Sequence, residues 1–204
     1  MQLKVKICGI RTLAGALAAY KAGADFIGLN FVPSSRRRIT PDEAAKIVAS
    51  LPKNRRIKIV GVFQDQKLSY IKEIAQSVPL DYVQLHGGES PAFSNKVGLP
   101  VIKAFGLQPD FDIGKALLAL GKYRVEVYLI DRLDQGQGEP LDPGSVKSLA
   151  VHFPIMLAGG LNLENITQTM TAVRPFAIDV ASGVETNGEM DPQKIITFLK
   201  MAKS

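Results

Sequence analysis

The chain carries one cysteine in 204 residues, and it stands at the end of an apolar run, where KVKICGIRT turns at Gly9. Asp131 closes a second apolar run, EVYLID. A thiol and a carboxyl group at two strand ends, with no cluster at metal-ligand spacing in the sequence, point to proton transfer. Lys6 lies two residues before Cys8, on the same face of an extended strand and about 7 Å along it. An ammonium there favours thiolate over thiol. Taken singly, each residue also fits a plainer role. Cys8 fits a small buried hydrophobe, Asp131 a helix cap or loop carboxylate, and Arg37 a surface arginine. Of the two histidines, His86 and His152, the second falls near the end of a helical stretch and reads as structural. No Ser-His-Asp set is legible.

Two glycine-rich stretches supply a different chemistry. LAGGLN contains Gly159 and Gly160, and DVASGVE contains Ser182 and Gly183. Glycines allow backbone N–H groups to approach an anion closely, so two such stretches at successive strand ends read as a phosphate cradle, with tight turns as the alternative. The formal net charge is +6, much of it in SSRRRIT (Arg36 to Arg38) and KNRRIK (Lys53 to Lys58). The second cluster reads as solvated surface. With no zinc-finger spacing, no RNA-recognition motif and no aromatic interleaving, nucleic acid is not the expected partner; a phosphorylated small molecule is.

Positioning these residues requires a particular scaffold. Strand-like runs cover Leu3–Ile7, Asp25–Phe31, Ile57–Phe63, Asp81–His86, Pro100–Phe105, Glu126–Asp131, Pro154–Gly160 and Phe176–Ser182, rich in Val, Ile, Phe and Tyr. Helical segments alternate with them. Their starts carry capping signals at Thr12, at Thr40 with Pro41, Asp42 and Glu43, at Asn162 with Glu164, and at Asp191 with Pro192. Gly23 marks the end of the first helix. Eight alternations predict an α/β fold, a (β/α)8 TIM barrel formed as a single domain over residues 1–204. In that fold the strand C-termini gather at one mouth, which brings Cys8, Arg37, His86, Asp131 and Asp179 together. A hydrophobic content of 46% suits a globular protein. No segment has the length of a membrane span or the pattern of a signal peptide, and one cysteine allows no internal disulfide, so a cytoplasmic protein without a membrane partner is expected. A monomer or a homodimer is expected.

The ordered set KICGI, FVPSSRRRITP, GVF, VQLHG, VIKAF, LID, LAGGLNLENI and RPFAIDVASGVE resembles the phosphoribosylanthranilate isomerases of tryptophan biosynthesis, from Lys4 to about Leu199. The resemblance implies an Amadori rearrangement of N-(5-phosphoribosyl)anthranilate to an aminoketose. On the matching positions it implies Asp131 as general acid and Cys8 as general base. It pairs Arg37 with the anthranilate carboxylate, places Gly160, Ser182 and Gly183 at the phosphate and Asp179 beside the sugar, and calls for no cofactor and no metal. The segment after Asp131 departs from the family. Gln137 stands where a threonine is usual and Glu139 where a lysine is usual, and Leu141 and Pro143 flank Asp142 in place of aromatic residues.

Two other readings compete. Another phosphate-binding barrel enzyme is one: a sugar-phosphate epimerase would want metal ligands at the strand ends, and an indole-glycerol-phosphate synthase a lysine acid, for which Lys103 is the available residue. The other is a divergent barrel that binds an anionic metabolite without turnover.

Overall fold

The computed structural model describes residues 3–132 and 141–204. The strands are β1 (Lys4–Cys8), β2 (Phe26–Asn30), β3 (Lys58–Phe63), β4 (Tyr82–Leu85), β5 (Val101–Leu107), β6 (Val127–Arg132), β7 (Ile155–Leu157) and β8 (Ala177–Val180). They pair in that order into a closed barrel, and every pairing is parallel. A small antiparallel hairpin, β9 (Glu185–Thr186) with β10 (Glu189–Met190), follows β8. The helices are α1 (Leu13–Lys21), α2 (Pro41–Ala49), α3 (Leu68–Ser77), α4 (Pro91–Ser94), α5 (Ile113–Leu120), α6 (Pro143–Ala150), α7 (Ile166–Val173) and α8 (Pro192–Lys203). Among the described residues no helix is long and apolar enough to cross a membrane.

Local chemistry explains most of these boundaries. Thr12 accepts the N–H of Gly15 to open α1, and Gly23, at φ +84°, lies just past its end, where only glycine turns left-handed without strain. Thr40 and Glu43 form a reciprocal capping box on α2, and Asp191 caps α8 ahead of Pro192. Two expectations shift. The seventh strand stops at Leu157, because Gly159 and Gly160 take φ +91° and +78° and leave the sheet. Helix α7 has Asn165 at its N-cap position, with no side-chain cap bond. Asn162 closes a turn before it, its Oδ1 accepting the N–H groups of Glu164 and Asn165, and Glu164 therefore precedes the first helical turn.

Side chains alternate across a strand, and here the alternation separates core from site. The barrel interior is filled by Phe26, Val60, Ile102, Ala104, Val127, Leu129, Met156 and Ala177. The opposite faces of the strands, with Val5, Ile7, Ile27, Ile59 and Ile178, pack against the surrounding helices. Above the interior layer, toward the strand C-termini, the inward positions turn polar.

Candidate active site

A cavity of about 560 Å³ opens at the C-terminal ends of the strands, and its walls include Cys8, Arg37, His86, Asp131, Gly160, Asp179 and Ser182. The structure thus brings together all but one of the residues expected there. Gly183 is not in the lining but adjoins it through Ser182.

Cys8 is buried at the end of β1, opposite Gly28 in the register of β2. Gly28 makes the room: a Cβ there would stand 2.8 Å from Cys8 Sγ and 3.2 Å from Lys6 Cε. Lys6 is fully buried on the same strand face and donates to both carboxylate oxygens of Asp179, at 3.0 and 3.1 Å. Burial pulls the ammonium's pKa down, but Asp179 and Cys8 beside it outweigh that and hold the group above the ordinary lysine value. The thiol moves up, driven first by burial and then by Asp179, against the opposing pull of Lys6 and Arg37. The ammonium thus acts on the thiol in the expected direction, but burial decides the sign. Lys6 opposes the rise both by its charge and by a hydrogen bond to the thiol, while it also pairs with Asp179.

Asp131 ends the inward face of β6 and is 9% exposed. Its Oδ1 accepts the N–H of Arg132 at 2.8 Å, and its Oδ2 lies 3.8 Å from His86 Nε2. His86 Nδ1 sits 2.9 Å from the side-chain amide nitrogen of Gln84, which leaves Nε2 to face Asp131. Burial, helped by Lys6 and Lys103, lowers the imidazole pKa to about 4, so the ring is neutral at neutral pH. Gln84 itself is buried beside the cavity, and its Oε1 has no hydrogen-bond partner among the described residues. An acceptor in that position is open to a donor on a ligand. Sequence reading passed over Gln84, although its place two residues before His86 puts both on one strand face.

The two glycine stretches meet at the other side of the mouth. Asn162 and Gly183 form a parallel bridge that stitches the loop after β7 to the loop after β8. Asn165 Nδ2 holds the carbonyl of Gly160 at 2.9 Å, and the Arg132 guanidinium packs against Gly160. No helix begins directly after β8, since α8 waits until Pro192, so this loop offers the cavity backbone N–H groups and the Ser182 hydroxyl. A Cβ on Gly183 would overlap the Leu161 carbonyl oxygen and stand 2.8 Å from Asn162 Cα. Gly183→Ala is therefore expected to force the loops apart. Overpacking of about 1–3 kcal/mol lowers Tm by roughly 2–12 °C in a chain of this size. Thermal unfolding checks this; an unchanged Tm would refute the wedge.

The arginine cluster differs from expectation. An extended SSRRR would alternate its side chains, placing Arg36 and Arg38 together and Arg37 apart. Residues 33–34 and 36–37 instead form turns, with Arg38 N–H bonded to the Ser35 carbonyl, and Arg36 and Arg37 both reach Glu185. Arg37 lies over Gly9, where φ is +88° and a Cβ would collide with the arginine's Cδ. The Gly9 that ends the first strand is thus also the floor on which Arg37 rests.

Lys103 does not enter the cavity. It is buried behind the barrel wall, paired with Glu89 at 3.1 Å and bonded to the carbonyls of Leu85 and Gly87. Glu89 and Asp65 in turn bind the N–H groups of Asp65, Gly87 and Gly88. The network pins the loop that carries His86, and it removes the lysine that an indole-glycerol-phosphate synthase reading needs. Among the described residues no group of three or more His, Cys, Asp or Glu could hold a metal ion. The replacements at Gln137 and Glu139 lie outside the described residues. Leu141 is buried and Asp142 caps α6 through Ser145.

A closed eight-stranded parallel barrel, with its ionisable side chains gathered at the strand C-termini, defines the class: a (β/α)8-barrel enzyme. The family model for N-(5'phosphoribosyl)anthranilate (PRA) isomerase matches residues 5–201. The chain belongs to that family. It is 40% identical over 205 residues to N-(5'-phosphoribosyl)anthranilate isomerase of Citrifermentans bemidjiense, covering 98% of this chain and 97% of that one. To the Dehalococcoides mccartyi enzyme it is 42% identical over 213 residues, covering 98% and 96%. The crystal structure of phosphoribosyl anthranilate isomerase from Thermotoga maritima superposes with a TM-score of 0.89 at 37% identity, covering 98% of each chain. A second isomerase structure, in complex with reduced 1-(o-carboxyphenylamino)-1-deoxyribulose 5-phosphate, gives 0.86 at 36% identity with the same coverage.

Proposed function

We propose that the chain isomerises N-(5'-phosphoribosyl)anthranilate to 1-(o-carboxyphenylamino)-1-deoxyribulose 5-phosphate, a step of tryptophan biosynthesis, with Asp131 as general acid and Cys8 as general base. The observation that carries this reading is that a buried thiol and a buried carboxyl group face one cavity whose rim is the stitched glycine cradle. Asp131 gives its proton to the furanose ring oxygen, the C1′–O bond breaks, and the anthranilate nitrogen becomes an iminium. Cys8 then takes the proton from C2′, and the released electron pair moves onto the iminium nitrogen. The resulting enolamine tautomerises to the ketone. The iminium is the electron sink, so the chemistry calls for no cofactor.

Gly160, Ser182 and Gly183 hold the phosphate through backbone and hydroxyl donors. Asp179 lies beside the sugar while it fixes Lys6 under Cys8. Asp131 carries the neutral His86 beside it, which brings no positive charge to the carboxyl group. The protein acts as a monomer or a homodimer; the Thermotoga maritima isomerase is described as dimeric and has been crystallised as monomers. A coupled assay with freshly generated phosphoribosylanthranilate tests the activity. Absence of turnover alongside tight binding of the product analogue would favour a barrel that only binds anionic metabolites.

Arg37 takes the anthranilate carboxylate. Its guanidinium is only partly exposed, lines the cavity and rests on Gly9. Arg37→Ala is expected to raise KM roughly 10- to 150-fold, the loss of about 1.5–3 kcal/mol that a charge-assisted fork supplies. Arg36→Ala and Arg38→Ala cost much less, since exposed charges contribute little. Steady-state kinetics of the three variants decides: equal effects would make the cluster a diffuse positive field.

A further inference from the structure

Glu185 belongs to none of the roles above, yet its carboxylate accepts three hydrogen bonds from two arginines beside the cavity. Its side chain is 5% exposed. Its Oε1 accepts from Arg37 Nε at 2.5 Å, and its Oε2 accepts from Arg37 Nη2 at 3.1 Å and from Arg36 Nη2 at 2.7 Å. Its own backbone is held in place, because Lys194 Nζ on α8 donates to the Glu185 carbonyl at 2.9 Å. The hairpin that carries it is anchored a second time where Glu189 pairs with Arg11, whose Nη1 also donates to the Arg36 carbonyl at 3.2 Å. The β9–β10 hairpin is thus a clasp across the loops after β1 and β2.

We propose that Glu185 is the positioning residue for substrate-carboxylate recognition: by gripping the Nε/Nη2 edge of Arg37, it turns the Nη1/Nη2 edge toward the ligand. The inference rests on the assignment of Arg37 to the anthranilate carboxylate. A guanidinium has two edges that can each form a fork with a carboxylate. Glu185 occupies one, and among the described residues nothing is bonded to Arg37 Nη1. Holding a long side chain in its bound rotamer before the ligand arrives removes an ordering cost from binding.

The probes are the reduced product analogue, 1-(o-carboxyphenylamino)-1-deoxyribulose 5-phosphate in reduced form, and its counterpart without the ring carboxylate. Glu185→Gln keeps the shape and removes the charge. It is expected to weaken the carboxylated analogue by about 10-fold, the scale of one lost preorganised contact, while the carboxylate-free analogue binds as it does to the wild type. KM rises in parallel and kcat stays within about twofold, the signature of lost ground-state binding. Glu185→Asp, which retains the charge, falls between wild type and Glu185→Gln, and decides by the same two analogues if Glu185→Gln does not fold. In the Arg37→Ala background Glu185→Gln adds no further loss. Equal weakening of both analogues, or tighter binding of the carboxylated one, overturns the inference. If Arg37→Ala loses the carboxylated analogue but Glu185→Gln does not, this inference alone falls. If Arg37→Ala binds both analogues as the wild type does, the carboxylate assignment falls and this inference with it.

Discussion

Asp131→Asn is expected to abolish turnover while leaving the binding of the reduced product analogue nearly intact. Asparagine keeps the size of the side chain, and its amide oxygen can still accept the Arg132 N–H that now meets Asp131 Oδ1. What disappears is the proton that must reach the ring oxygen as the C1′–O bond breaks. Removing a positioned acid costs about 10²–10⁴-fold, and ring opening precedes every later step, so kcat is expected at the lower limit of detection. His86 does not stand in for the lost acid: its ring is neutral at neutral pH, with a pKa of about 4, and its nearest nitrogen is a further 3.8 Å beyond the carboxyl group. Stopped assays for kcat and calorimetry with the reduced analogue check both halves. A variant that lost binding yet turned over normally at saturation would make Asp131 a clamp and not an acid.

Cys8→Ala is expected to lower kcat by about 10²-fold or more, the range for a missing general base, with KM changed far less. The pH dependence is the more specific signature. The base must be thiolate, and burial and Asp179 push the thiol above its ordinary value despite Lys6 and Arg37. The fraction of competent free enzyme therefore grows as pH rises toward that raised pKa, so kcat/KM climbs on the alkaline side. Alkylation of Cys8 by iodoacetamide follows the same limb, because the same thiolate attacks. A bound product analogue should slow that alkylation, since Cys8 lines the cavity the analogue fills. Full activity after complete alkylation would remove Cys8 from the mechanism.

The architecture was legible in the residues because it is written locally. Eight apolar runs with helical segments between them, and caps such as Thr40 with Glu43 or Asp191 with Pro192, satisfy backbone groups within a few residues of themselves. Period-two alternation then places Lys6 with Cys8, and Gln84 with His86, on the barrel's inner face. Since strand C-termini meet at one mouth in this fold, the convergence of Cys8, Arg37, His86, Asp131 and Asp179 followed from the order of elements alone. Identifying what the pair of proton-transfer groups acts on needed more than spacing, and came from the ordered motifs.

What the residues did not reveal are the partners each group finds across the barrel. The charge of Lys6 was readable next to Cys8, but not its pairing with Asp179, which is separated from it by most of the chain and adds to burial in raising the thiol. The turns at residues 33–34 and 36–37 overrode the alternation expected of an extended stretch and sent Arg36 and Arg37 to one carboxylate. Glu185 stands in the DVASGVE motif, but its partners are not legible there, because the hairpin that carries it is a pair of two-residue strands, too short to leave a pattern. Strand and helix propensity acts over neighbouring residues, so the sequence alone determined the barrel and the address of each chemical group. Electrostatic pairing acts through space between residues that are distant in the chain, so only the tertiary structure decided which charges meet, and with that how Cys8, Arg37 and Asp179 are held.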